Sequence, residues 1–425
     1  MIGCAIFFRA KSYQLSTLLS LWHTYVLKQD QTVLVAGRCV LLGDHTHAPK
    51  DGGRMPGVVS MRERSETQSK PSYFRGQCWG ALGLLVGSIG ACFGLPLELR
   101  IDQGFVHLGH EPMGSDSHVG LGERVVRMAL AFAVEQDRPA GLVLDAFFPT
   151  AVVFRVARSV YSVALKQPYL YILVRAKKNY VGYFPAPAKP PHRPGPQARY
   201  GKKVHLKECF DHRHLFESTP GTLYGQAETV QLMALELLWK PLGEPLLFIF
   251  AITSRGPLML MSSDLALSPA TALELYCTRA RIEIMFAMLK HVLGAVRFRF
   301  WTNYLPKHPR RPRANKHLQA PAAEHMAAVT ACWNACEVFV GCATIAHGLL
   351  PLIALRFESQ VWHHHALYLR TQSRALPSER TVKQVLAPQL LPQFIDLGQH
   401  GLIAKIQRGF DRAENDKEPD FRLSA

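Results

Sequence analysis

Apolar residues recur along the chain with two different periods, and their succession predicts alternating strands and helices. Leu15, Leu18, Leu19 and Trp22 follow helical spacing, and a strand-like run over residues 32–42 ends in Gly43-Asp44-His45-Thr46. Two further apolar runs, 78–89 and 91–101, are separated around Gly90 and predict an antiparallel hairpin. Val125, Val126, Met128, Ala129 and Phe132 form the stripe of a helix over 123–136. Pro139 then introduces a buried strand, Gly141-Leu142-Val143-Leu144-Asp145. A helix over 150–165 and a strand over 169–175 follow, then strand-like runs at 228–239, 245–253 and 257–261. Pro269 marks the first turn of a long helix reaching about Leu293, and the remaining third is largely helical.

Three strands, helix, strand, helix, strand is the succession expected of a ribonuclease-H-like α/β core, although other α/β folds share it. The chain then divides into an N-terminal segment, 1–32, a core region, 33–300, and a basic loop with a helical C-terminal region, 301–425. Within the core a mostly β insertion occupies about 176–261. Residues 185–203 are dense in proline and carry His192, Arg193, Arg199, Lys202 and Lys203, which predicts an exposed basic loop. A second basic run lies at 307–316, and the charged tail 411–425 is expected to fray.

Composition narrows the class. With 425 residues and 48% apolar content the chain can bury a sizeable core in two or three units. Lys and Arg outnumber Asp and Glu by 49 to 32, a net charge of +17 that favours a polyanionic partner. The nine cysteines include no Cys-x-x-Cys pair and read as reduced thiols rather than a disulfide framework or zinc site. Residues 78–97 and 329–355 are apolar enough to be checked as membrane spans. Glycines and Pro96 in the first, and Asn334, Glu337 and His347 in the second, favour buried strands and a buried helix. His363-His364-His365 and His212-x-His214 have no accompanying ligand set and read as surface histidines. Gly83 to Gly94 lacks the Lys-Ser/Thr ending of a phosphate-cradling loop.

The most informative segment begins at Tyr276. On a helix, Tyr276, Arg279, Glu283 and Lys290 fall inside an arc of roughly 60°. Leu275, Ile282, Met285 and Leu289 share a separate one. A phenol, a guanidinium, a carboxylate and an ammonium on one stripe suit a phosphate backbone held beside a metal-bound carboxylate. An ordinary amphipathic helix with chance alignment fits the geometry equally well.

The spacing Tyr276-x2-Arg279-x3-Glu283-x6-Lys290 resembles the signature of bacterial insertion-sequence transposases of the DDE type. Met261-Ser262-Ser263-Asp264-Leu265 with Ser268-Pro269 resembles the approach to that helix. Gly43-Asp44-His45-Thr46, with Lys50, Asp51-Gly52 and Met55-Pro56-Gly57-Val58, resembles the family's first-aspartate segment, and Leu142-Val143-Leu144-Asp145-Ala146 its second. The likeness spans about residues 33–300.

It implies that Asp44, Asp145 and Glu283 are catalytic and bind two Mg2+ ions, with Mn2+ able to substitute. Hard oxygen ligands suit such ions, and a pair of them can serve both ends of an in-line phosphodiester displacement. It also implies contacts from Tyr276, Arg279 and Lys290 to DNA, both transposon ends and target. Expected with these are a homodimer in a synaptic complex, no membrane, and a cytoplasmic, nucleoid-associated location. Taken singly, Asp44 and Asp145 read as well as turn or cap residues. Some relatives stack a tryptophan on a base extruded from DNA, a role the likeness offers Trp239; Leu237-Leu238-Trp239 reads more simply as core. Only 43 residues precede Asp44, where relatives carry a longer end-recognition region, so a shortened, non-catalytic DNA-binding relic is the alternative.

Overall fold

The computed structural model describes residues 14–62, 73–109, 119–189, 195–307, 318–365 and 375–397. Residues 192, 193, 308–316 and 411–425, on which the basic-loop and tail expectations partly fall, lie outside them.

A thirteen-stranded mixed sheet runs through the molecule, with helices on both faces. Its first part comprises β1 (Leu34–Val35), β2 (Arg38–Pro49), β3 (Val59–Arg62), β4 (Tyr73–Ser88) and β5 (Ala91–Ile101). Next come β6 (Ala140–Leu144), a separate small hairpin of β7 (Tyr161–Ser162) and β8 (Gln167–Pro168), and β9 (Leu170–Arg175). Six strands follow: β10 (Val181–Pro185), β11 (Tyr200–His205), β12 (Glu217–Leu223), β13 (Gln226–Trp239), β14 (Glu244–Thr253) and β15 (Gly256–Ser262). β4 runs antiparallel to both of its neighbours, β2 and β5. β6 lies parallel to β2, and β9 parallel to β6. β15 joins β9 antiparallel, so the strands after residue 176 extend the same sheet instead of forming a separate one.

The helices are α1 (Leu15–Leu27), α2 (Leu121–Glu135), α3 (Ala151–Ala157), α4 (Pro269–Thr278), α5 (Ala280–Ala287), α6 (Met326–Arg356), α7 (Glu358–His363) and α8 (Glu379–Leu397). Strand alternation assigns the two faces. Leu41, Leu142, Leu144, Ile172 and Val174 pack with Trp22 of α1, Val125 and Phe132 of α2 and Phe154 of α3. Val40, Leu42, Val143 and Leu173 pack with Leu275 and Tyr276 of α4, Ile282 and Met285 of α5, and Trp333 and Cys336 of α6. Gly43 lets α2 approach: a Cβ there would stand 2.7 Å from a Val125 methyl and 2.8 Å from one of Leu144.

Several elements depart from the sequence expectation. The helix expected over 150–165 ends at Ala157, because the β-branched and serine-rich residues after it turn back as the β7–β8 hairpin. Lys202 and Lys203, expected in a loop, lie in β11, where β10 supplies the backbone partners. β2 does not stop before Asp44. Its parallel pairing with β6 ends at Leu42↔Val143, but antiparallel pairing with β4 carries it to Pro49↔Gly76.

The apolar run 78–97 forms the β4–β5 hairpin. The segment Ala323–Arg356 is long and apolar enough to cross a membrane, yet 56% of its most apolar window is buried inside the protein. Within it Glu337 accepts a hydrogen bond from Arg100 Nη1 and one from the Ile101 amide, both at 3.1 Å, tying α6 to β5. The described cysteines are free thiols, and Cys39, Cys78, Cys92 and Cys277 are buried as the apolar surroundings predicted.

Candidate active site

Asp44 continues the Val40, Leu42 series along β2, and Asp145 continues Val143 one residue past β6. Extending the β2–β6 register by two residues sets Asp44 opposite Asp145, both aimed at the face covered by α4 and α5. The Asp44 carboxylate accepts from the His45 amide at 2.7 Å, and Asp145 accepts from the Phe147 amide at 2.7 Å.

Ser268 caps α4 by accepting from the Thr271 amide, and Pro269 supplies the first turn. The helix breaks at Arg279, resumes as α5 and finishes in a π-helical turn, Met288–Val292. Its apolar side buries Ile282, Met285 and Leu289. That leaves Arg279 and Glu283 facing Asp44, just past the end of the β2–β6 pairing. Arg279 Nη1 donates to Asp44 Oδ2 at 3.2 Å and Nη2 to Glu283 Oε1 at 2.6 Å. One guanidinium thus joins two carboxylates separated by most of the chain.

Burial pushes the Asp44 carboxyl up to about 6, the Asp145 charge pushes the same way, and the His45 amide and Arg279 oppose them. An acid that holds its proton more tightly when folded penalises folding above the folded-state value. Lowering the pH from about 6 to about 4 removes that penalty, because both states are then protonated. We expect Asp44→Asn to stabilise the metal-free protein by roughly 2 kcal/mol at pH 7.5. The gain should vanish below about pH 4, as read from urea midpoints in EDTA. A gain that grows on acidification would contradict the assignment.

The remaining signature residues are placed differently. Tyr276 is buried, and its hydroxyl is raised by burial, with Arg279 and Arg175 opposing and Asp145 adding to the rise. Lys290 is half-buried in the π turn. Trp239 is 4% exposed, with its ring 5.7 Å from Phe154 and 5.4 Å from Tyr180. Packed edge-on and tilted against these core rings, it is not presented to a base. Among the described residues no group of three or more His, Cys, Asp or Glu side chains is gathered as a metal-ligating cluster, the histidine runs included. At the acidic site Arg279 stands between Asp44 and Glu283. The donors themselves are all oxygen, the type a hard divalent ion takes, and a cation beside Asp44 would offset the burial and the Asp145 charge that raise its carboxyl.

Asp102 was not singled out by sequence reasoning. It ends the β4–β5 hairpin, is 6% exposed, and bonds His45 Nε2 at 3.0 Å, while the His45 ring stacks 5.6 Å from Phe148. The pair braces the backbone beside Asp44 from the opposite face of the sheet. Its only sequence signal is an acid closing an apolar strand, which is common at turns. Lys50 is likewise buried, donating to the Val296 and Phe298 carbonyls at 2.6 Å each and so fastening the chain after the Glu283 helix to the end of β2. No protein-family model matches this chain, and no curated protein does either.

Proposed function

We propose that the chain is a DDE-type DNA transposase, cutting DNA at the ends of an insertion sequence and joining them to a target. The observation that carries this reading is the sharing of Arg279 by Asp44 and Glu283, with Asp145 close enough to raise the Asp44 carboxyl. The sheet order β5-β4-β2-β6-β9, antiparallel then parallel, supports a ribonuclease-H-like core in which carboxylates stand on adjacent parallel strands just past the end of their pairing.

In this reading Asp44, Asp145 and Glu283 hold two Mg2+ ions, or Mn2+ in their place. When bound, the ions activate the attacking oxygen and stabilise the leaving oxygen of a phosphodiester displacement. Arg279 donates a planar pair of N–H groups to a phosphate, and Lys290 adds a point charge about two turns beyond Glu283. Tyr276, buried within the electrostatic reach of Arg279 and Asp145, acts by fixing the helix that carries Arg279 and Glu283. The +17 charge draws the chain to the polyanion. Two ends must be handled together, so the working form is a homodimer or larger assembly on DNA, in the bacterial cytoplasm.

The test is nicking of a supercoiled plasmid that carries the flanking chromosomal sequence. Conversion to open circles in Mg2+ or Mn2+, abolished by EDTA, is expected. Gel-shift binding without nicking in either metal would favour a non-catalytic relic, and neither binding nor nicking would end the proposal.

A further inference from the structure

Arg279 spends both terminal nitrogens of its guanidinium on the oxygens that the proposed cations require. Nη1 is 3.2 Å from Asp44 Oδ2 and Nη2 is 2.6 Å from Glu283 Oε1. Its side chain is 18% exposed, whereas Glu283 is 61% exposed, so the bridge runs from the half-buried strand residue out to the solvent side of the site. A guanidinium and a divalent cation in that gap would repel each other and compete for the same carboxylate oxygens. The backbone at Arg279 is already helical, φ −52° and ψ −36°, so the side chain can leave without refolding the helix.

We infer that Arg279 competes with the divalent ions for Asp44 and Glu283, so that loading the site releases its guanidinium toward DNA phosphate. This rests on the site reading above. By linkage, a phosphate that captures the released guanidinium strengthens metal binding by the same factor that metal strengthens phosphate binding. The arrangement makes metal and DNA mutually dependent and keeps the DNA-free protein weakly loaded.

The measurement is Mn2+ binding by the full-length, DNA-free protein, read from the free-ion electron paramagnetic resonance signal. Removing a competitor tightens apparent affinity by the reciprocal of the fraction of time the site stands free of it, so with that fraction about one-tenth Arg279→Gln is expected to bind Mn2+ about ten-fold tighter. The Mn2+-induced rise in unfolding temperature should be larger in that variant than in wild type. Arg281→Gln removes the same charge two residues away, where the side chain engages Cys92, and is expected to change affinity by less than about two-fold. Unchanged binding in Arg279→Gln, or equal tightening in both variants, overturns the competition.

Should Arg279→Gln fail to fold, Arg279→Lys serves instead. It keeps the charge but bonds one carboxylate at a time, and tightening of about three-fold is expected, with no change counting against the proposal. Asp145→Asn separates the two levels. If it leaves Mn2+ binding untouched, the site reading itself fails. If it weakens binding while Arg279→Gln does nothing, only the competition fails.

Discussion

If the chain is the proposed transposase, Asp145→Ala is expected to lower its metal-dependent nicking by about a thousand-fold or more, since a two-ion site that loses a shared ligand loses both its geometry and its charge. On the proposed reading DNA binding should change by less than about three-fold, because the proposed backbone grip rests on the +17 net charge and not on Asp145. Asp145 stands one residue beyond β6, outside the paired strand, and its carboxylate bonds only locally to the Phe147 amide. Removing it therefore breaks no long-range contact that holds the sheet. It also withdraws the charge that helps to raise the Asp44 carboxyl, which favours the folded metal-free protein. Loss of nicking with an unchanged or higher urea midpoint would thus be a chemical defect, not unfolding. Retained nicking would remove Asp145 from the site and the two-ion reading with it.

Gly80→Ala should be the most damaging small substitution near the site. Gly80 pairs with His45 on β2 and Arg100 on β5. A Cβ there would stand 1.9 Å from Asp102 Oδ2, the oxygen that bonds His45 Nε2. The carboxylate is 6% exposed and sits against backbone, so it has to leave its partner or push the strands apart. Overpacking and a broken buried pair together suggest a loss of about 3 kcal/mol. Gly141→Ala is the matched comparison. It adds the same methyl to a strand of the same sheet where nothing lies within 4 Å, and should shift stability by less than about 0.5 kcal/mol. Chemical denaturation of the two variants checks this, and equal losses would show that the His45–Asp102 contact does not govern packing there.

Much of the sheet was legible because its signals are local. Apolar runs predicted the hairpin at 78–101, the buried strand before Asp145 and the strands at 228–239, 245–253 and 257–261, within about five residues of the observed bounds. The end of β2 was not legible. Gly43 and Asp44 look like a turn, yet the strand continues because β4, some thirty residues later, supplies its partners. The helix expected over 150–165 failed for the reverse reason: the hairpin after Arg158 depends on pairing that a helical periodicity count does not weigh.

By itself the sequence determined which residue types stand where: acids at the two strand segments, and a stripe of Tyr276, Arg279, Glu283 and Lys290 at helical intervals. It also set a strongly basic balance. Tertiary structure alone decided that this stripe divides, with Tyr276 going into the core and Arg279 turning to bridge Asp44 and Glu283. It likewise sent Trp239 inward and recruited Asp102 and Lys50 to brace the strand beside Asp44. The physical reason is range. Backbone periodicity is set by neighbours a few residues apart, whereas burial, ion pairing and the raised Asp44 carboxyl arise between segments that meet only once the sheet has closed.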